Sequence, residues 1–306
     1  MNRLIHTAIL AAAALALSPA VADKGAYEIS PLCVATGCFG GDDPGFPVEI
    51  FQTGRYVLTG NLDVSNEANA ENASGIVVFG SIDVSIDLNG FEIRGPVSCT
   101  GQPVTSCSTT EGTGIGVRLA NNNASLRIKH GSITGMGQHG ISCATLGSSC
   151  QLDGLRLSQN RENGLRAGGL DAFVIRTAAV SNGVEGLNLR YGAVRDSRAR
   201  FNGGDGIRAG EATIESATST SNGGDGIVSN GVVQNSTASS NDGNGIFCFG
   251  CQALFNQVVI NDGFGIDLGN SALFGGNRVS GNALGDTEGG NFSTVLLPNH
   301  CADASC

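Results

Sequence analysis

The sequence has no tryptophan, only three tyrosines and few basic residues. Seventeen Lys and Arg stand against 27 Asp and Glu, a formal net charge of −10 with a pI near 4.8. That balance argues against nucleic acid or an anionic membrane as partner of the whole molecule. Beyond residue 22 no apolar run is long enough to span a bilayer, so membrane insertion is not expected. Histidine is sparse too: only His130, His139 and His300 follow residue 22, and no two have metal-ligand spacing. The CxxC motif occurs once, at Cys248 and Cys251, without a second copy for a zinc site or a surrounding βαβ pattern.

What is abundant is glycine (47) and one repeated phrase. It begins at Asn160, Asn182, Asn202, Asn222, Asn241 and Asn261, at spacings of 22, 20, 20, 19 and 20 residues, with Asn282 as the next expected position of the Asn column. Such a period is too short for helical-hairpin repeats and lacks the leucine pattern of leucine-rich repeats. Five residues after each Asn stand Leu165, Leu187, Ile207, Ile227, Ile246 and Ile266. Eight before the next come Val174, Val194, Ile214, Val233, Ala253 and Phe274; three before it, Ala179, Ala199, Ser219, Ala238, Val258 and Val279. These short apolar clusters lie between Gly, Asn, Ser and Asp, so each unit reads as two or three short strands joined by tight turns. Stacked in parallel at about 4.8 Å, the units share one narrow core that no single unit could form. The expected architecture is all-β: a single-stranded right-handed parallel β-helix, or solenoid, with coils of about 20–26 residues and capped ends. The repeated Asn then forms a hydrogen-bonded amide ladder, a structural role.

Residues 1–22 read as a signal peptide: Arg3, an apolar run, then Ala20-Val21-Ala22 as a small-residue site with cleavage after Ala22. The mature protein is therefore expected to be secreted or periplasmic. Residues 23–53 read as an N-terminal cap, 54–282 as the β-helix and 283–306 as a C-terminal cap. Ten cysteines fall into five close pairs, Cys33–Cys38, Cys99–Cys107, Cys143–Cys150, Cys248–Cys251 and Cys301–Cys306, and neighbour pairing is the simplest disulfide framework. Cys143 and Cys248 both follow the repeated Ile by two residues, so two bridges should staple one corner on different coils.

The phrase G-x-Y-x-L-x-x-N-L from Gly54, GI-x-V from Gly75, I-D-L-N-G-x-x-I-x-G from Ile86 and the N-x-x-x-G-I coils resemble right-handed parallel β-helix proteins of the pectate-lyase-like group. The resemblance covers roughly residues 54–282. It implies the fold, and an association with polysaccharides that many members have. No stretch matches a pectate lyase, polygalacturonase or alginate epimerase catalytic motif residue by residue.

Two sets of residues are candidates for chemistry. Nine of the 17 basic residues lie between Arg156 and Arg208, and Arg156, Arg176, Arg195, Arg198, Arg200 and Arg208 are the expected ligand-binding set. Guanidinium groups suit bidentate capture of uronate carboxylates; the alternative is a solvated face neutralised by nearby acids. The second set lies three residues after the repeated Asn: His139, Asn163, Glu185, Asp205, Asp225 and Asn244. Glu185, Asp205 and Asp225 could hold Ca2+, and Glu185 or Asp205, with Arg198 and Arg200, are the catalytic candidates. The competing reading is that Asp-Gly and Asn-Gly simply suit tight turns. Two functions follow: an exported protein binding or processing an anionic polysaccharide, lyase-like if an enzyme, or a non-catalytic surface scaffold.

Overall fold

The computed structural model describes residues 21–22, 25–269, 272–289 and 294–302. Its strands stack into a right-handed parallel β-solenoid with three faces. The first face carries the residues after the repeated Asn: Ile141 pairs with Leu165, Leu165 with Leu187, then Ile207, Ile227, Ile246 and Ile266. The second face aligns Val174, Val194, Ile214, Val233, Ala253 and Phe274. The third aligns Ala179, Ala199, Ser219, Ala238, Val258 and Val279. The three columns named from the repeat are thus the inward rows of the three faces, and nearly all are fully buried. Each buried Leu or Ile contributes about 1.5–3 kcal/mol, which explains why the pattern is kept on every coil.

The amide ladder forms as expected. Asn160 Nδ2 donates to Asn182 Oδ1 at 2.9 Å, and the same bond links Asn182, Asn202, Asn222, Asn241, Asn261 and Asn282 at 2.9–3.0 Å. Each Oδ1 also accepts the backbone N–H of the preceding ladder Asn. A second ladder stands at the corner between the second and third faces, where Asn256 Nδ2 donates to Asn277 Oδ1 (3.1 Å) and Asn277 to Asn299 (3.0 Å).

The corners differ from the turn chemistry that Asp-Gly suggests. Left-handed backbone falls on the residue just before each ladder position: Ser181, Phe201, Ser221, Ser240 and Ile260 at one corner, Arg176, Asp196, Ser216, Asn235 and Phe255 at the other, with φ from 48° to 58°. The repeated glycine is needed for space instead. A Cβ on Gly206 would lie 1.9 Å from Ser219 Oγ and 2.6 Å from Asn222 Nδ2. Ile260 (φ 58°) is β-branched, 65 % exposed and poorly suited to its conformation. Ile260→Asn is expected to stabilise the protein by about 1 kcal/mol, seen as a higher urea midpoint at unchanged m-value; a lower midpoint contradicts this.

The coils have 19–24 residues from Val117 onward, but Val48 to Ile76 is 28 residues and Ile76 to Val117 is 41, because residues 95–112 leave the core. Parallel pairing also reaches outside residues 54–282: Ala26–Ile29 pairs with Gly54–Leu58, and Gly285–Gly289 with Phe264–Leu268. Near the N-terminal end, the rings of Tyr27, Phe39 and Tyr56 pack at 5.2–5.7 Å, and Asp42 accepts the backbone N–H groups of Cys38 and Glu49.

Four of the expected disulfides are present: Cys33–Cys38, Cys99–Cys107, Cys143–Cys150 and Cys248–Cys251. The last two close the corner between the first and second faces and are buried, which makes CxxC a staple here. Cys306, and with it the Cys301–Cys306 pairing, lies outside the described residues, as do residues 1–20 of the expected signal peptide. Val21–Ala22 pairs antiparallel with Ala26–Ile29. Among the described residues, no helix is long and apolar enough to cross a membrane.

Candidate functional site

The six arginines expected to form one binding face do not share a face. Arg156 and Arg198 lie on the third face with Ala178 between them, and Arg200 follows two residues along the same strand. Arg176 occupies a corner and pairs with Asp153 (2.5 Å), while Arg195 on the second face pairs with Glu215 (3.3 Å). Arg208 alone of the six is on the first face. Density along the chain misled because the face is set by position within the coil, and these six occupy different positions. The Arg200 guanidinium lies over the Phe201 ring at 4.1 Å.

The acidic row is structural in large part. Asp205 Oδ1 accepts the Asp225 N–H (2.8 Å), Asp225 Oδ1 accepts that of Asn244 (2.7 Å), and Asn244 Oδ1 that of Phe264 (2.8 Å). At the start of the row, Asn163 donates its N–H to His139 Nδ1 (3.3 Å), and Glu185 donates to Asn163 Oδ1 (3.3 Å). Side chains in this row therefore stitch one coil to the next. Glu185 breaks the series: its longer side chain reaches the Arg208 Nε at 3.5 Å, and Asp205 Oδ2 pairs with the same guanidinium. Among the described residues, no group of three or more His, Cys, Asp or Glu is placed to hold a metal ion. Burial, then the neighbouring Asp205 and Asp267 charges, raise the Asp225 carboxyl against the Asn244 N–H and Arg208; burial and Glu288 raise that of Asp267.

Three of the candidates, Glu185, Asp205 and Arg208, do meet on the first face, and there they join residues the sequence reading left out. The outward column of this face runs Arg118, Ser142, Arg166, Asn188, Arg208. Arginine recurs at every second coil, about 10 Å apart at strand spacing, with a small polar side chain between. Arg118 and Arg166 are exposed and, among the described residues, have no ion pair. Arg118 could have been found from sequence by extending the Gly-apolar alignment back from Gly164-Leu165-Arg166 through Gly140-Ile141-Ser142 to Gly116-Val117-Arg118.

Beside this column lies a buried imidazole. His139 is 2 % exposed, with Nε2 3.4 Å from Glu162 Oε2, and Arg161 holds the other Glu162 oxygen at 2.6 Å. Burial lowers the His139 pKa to about 4, with Arg166 and Arg161 adding to it and Glu162 opposing. Because Nδ1 accepts from Asn163, the ring's proton belongs on Nε2, facing Glu162. The pair places a carboxylate and a neutral imidazole next to the cationic column.

Disulfide-closed loops border both edges of the face. The hairpin of Cys99–Gly101 and Val104–Cys107 lies across the corner with the third face: Val104 donates to the Phe201 carbonyl (3.1 Å), and Cys99 to Gln159 Oε1 (2.8 Å). Arg161 secures its stem through the Thr110 and Gly112 carbonyls (3.1 and 3.0 Å). The Cys143–Cys150 loop occupies the opposite corner. Past Arg208 the column becomes Val228, Phe247, Asp267 and Glu288, so its cationic part ends there. Such an arrangement can hold a linear anion with regularly spaced charges.

No family model matches the chain, and no curated protein sequence matches it. Among solved structures, a double mutant of the periplasmic alginate epimerase AlgG is similar, with TM-score 0.62 and 12% identity, covering 91% of this chain and 75% of that one. The unsubstituted AlgG structure has TM-score 0.59 and 13% identity, covering 90% of this chain and 84% of that one. At this identity the likeness is one of fold, and the fold is the right-handed parallel β-helix.

Proposed function

We propose that this chain is an exported protein that binds an acidic polysaccharide, of the uronate class, along the cationic column of its first face. The observation that carries the reading is the alternation Arg118, Ser142, Arg166, Asn188, Arg208. One coil advances about 4.8 Å, close to the length of one 1,4-linked pyranose, so a chain lying along the axis meets one sugar per coil. In an extended chain whose successive rings are flipped, carboxylates on one side recur every second sugar and face the arginines. Arg118 and Arg166, which have no ion pair among the described residues, can make bidentate bonds, while Ser142 and Asn188 face the intervening rings. The similar AlgG structure is that of an alginate epimerase, and alginate is a uronate polymer. Disulfides fit an oxidising compartment.

Processing of the polymer would call on Glu162, a half-buried carboxylate beside the column that the buried His139 backs from the interior. The alternative of a scaffold without catalysis draws support from the acidic row, whose Asp205 and Asp225 oxygens are taken up by backbone N–H groups and Arg208.

Calorimetry with polyuronates, with and without calcium, tests the reading. The Arg118→Ala/Arg166→Ala double variant is expected to weaken binding ten-fold or more, since two charge-assisted hydrogen-bonding groups are lost and each factor of ten is about 1.4 kcal/mol. Unchanged affinity in that variant contradicts the reading. Ultraviolet absorbance of unsaturated uronate products, followed in the same samples, separates a lyase from a binding protein.

A further inference from the structure

A separate cavity lies on a different face. It is a groove of about 880 Å³ on the second face, lined among others by Arg55, Arg127, Lys129, Asp87 and Phe173. The strand register places its outward residues in one column: Arg55, Ser85, Arg127, Gln151, Phe173. Cations again stand two coils apart, about 10 Å, with a hydroxyl between them and an amide before the next step. At that next step the residue is Phe173, whose ring is 43 % exposed.

The acids in the groove are already committed. Asp87 pairs with Lys129 at 3.1 Å and lies 3.4 Å from His130 Nδ1, and Asp153 takes the Arg176 guanidinium at 2.5 Å. Arg55 and Arg127 are exposed and have no ion pair among the described residues. The groove therefore keeps two uncompensated guanidinium groups in a protein whose formal net charge is −10. The exposed Phe173 ring stands in line with the two unpaired arginines. A sugar polymer would use both, with carboxylates on the arginines and the C–H face of a pyranose on the ring.

We propose that this groove is a second, separate site for an acidic glycan chain, in which Arg55 and Arg127 hold carboxylates two sugars apart and Phe173 stacks on a ring two sugars further. The site shares its ligand class with the reading above but none of its residues. A molecule with both sites can hold two glycan chains on different faces, or two stretches of one chain with an avidity that neither site has alone.

The probe is a hexamer of galacturonate or mannuronate, titrated by calorimetry into the full mature chain. Two hexamers are expected to bind the wild type and one to bind Arg55→Ala/Arg127→Ala. Phe173→Ala is expected to weaken the second site about ten-fold and leave the first unchanged, and Arg127→Lys, which keeps the charge, should retain part of the affinity. These side chains are exposed, so unchanged thermal melting checks that each variant is folded. One hexamer bound, lost only in Arg118→Ala/Arg166→Ala, overturns this second site and leaves the first. One bound, lost only in Arg55→Ala/Arg127→Ala, does the reverse. No binding to the wild type overturns both.

Discussion

Replacing Asn202 by Ala is expected to cost about 3 kcal/mol or more. Asn202 is fully buried, and its amide makes four bonds: Nδ2 donates to Asn222 Oδ1 (2.9 Å) and the Ala179 carbonyl (3.3 Å), while Oδ1 accepts both the side-chain and backbone N–H of Asn182 (3.0 Å each). Alanine leaves two buried donors of Asn182 without an acceptor, and unmade buried bonds cost far more than made ones gain. Asn202→Asp is a sharper probe. It keeps the acceptor for Asn182 but turns a second oxygen toward Asn222 Oδ1, where only a donor fits. This variant should be at least as unstable at neutral pH and should recover partly on acidification, as its protonated carboxyl becomes a donor. Urea unfolding measures all three proteins, with Asn230→Ala, at an exposed position, as a control expected to stay within about 0.5 kcal/mol. A loss at Asn202 no larger than the control's contradicts the ladder's structural role.

The second large effect is in pH. Burial holds the folded His139 pKa near 4, against about 6.5 unfolded. Between those values the unfolded chain binds more protons than the folded one, so stability rises with pH across the window and falls as pH drops through it. The full shift corresponds to a loss on the order of 3 kcal/mol between neutral pH and pH 4. The raised Asp225 and Asp267 carboxyls act with the opposite sign just above the ordinary carboxylate range, since the folded state there holds protons that the unfolded state has released. They reduce the net slope in the lower part of the window. His139→Asn copies Asn163 one coil on, keeps an acceptor for the Asn163 N–H and removes the titration. Denaturant midpoints at pH 7, 6, 5 and 4 should fall in the wild type and flatten in this variant; parallel curves contradict the assignment.

The solenoid was legible because its strongest constraint repeats: a buried amide, a close-packed glycine and an apolar residue recur together from Asn160 to Ile266. Disulfide pairing was legible for a similar reason, since each bridge closes a local loop. The second ladder was readable by the same spacing argument, from Asn256, Asn277 and Asn299, but it starts late, with Ser197 and Ser236 supplying hydroxyls on earlier coils. The left-handed corners carried no compositional signal, because Phe201, Arg176 and Ile260 occupy them as well as Ser and Asn. Site residues were hardest to read. A column crosses coils of unequal length, so Arg118 and Arg166 align only when the Gly-apolar phrases of the intervening coils, Gly140-Ile141 and Gly164-Leu165, are brought into one register. Within one strand the signal was clearer: Leu126-Arg127-Ile128-Lys129 alternates buried apolar with outward basic residues, which is enough to place Arg127 on a surface though not beside Arg55.

The most direct measurement is affinity against chain length for a series of oligouronates, made in the Arg55→Ala/Arg127→Ala background so that only the first face reports. With arginines at every second coil, a trimer spans Arg118 to Arg166, while Arg208, which a pentamer reaches, is already paired with Glu185 and Asp205. The account predicts that affinity rises in a step at three sugars, and that this step is absent in Arg166→Ala. A smooth rise with length that ignores the arginine substitution would contradict the register match on which the functional reading rests.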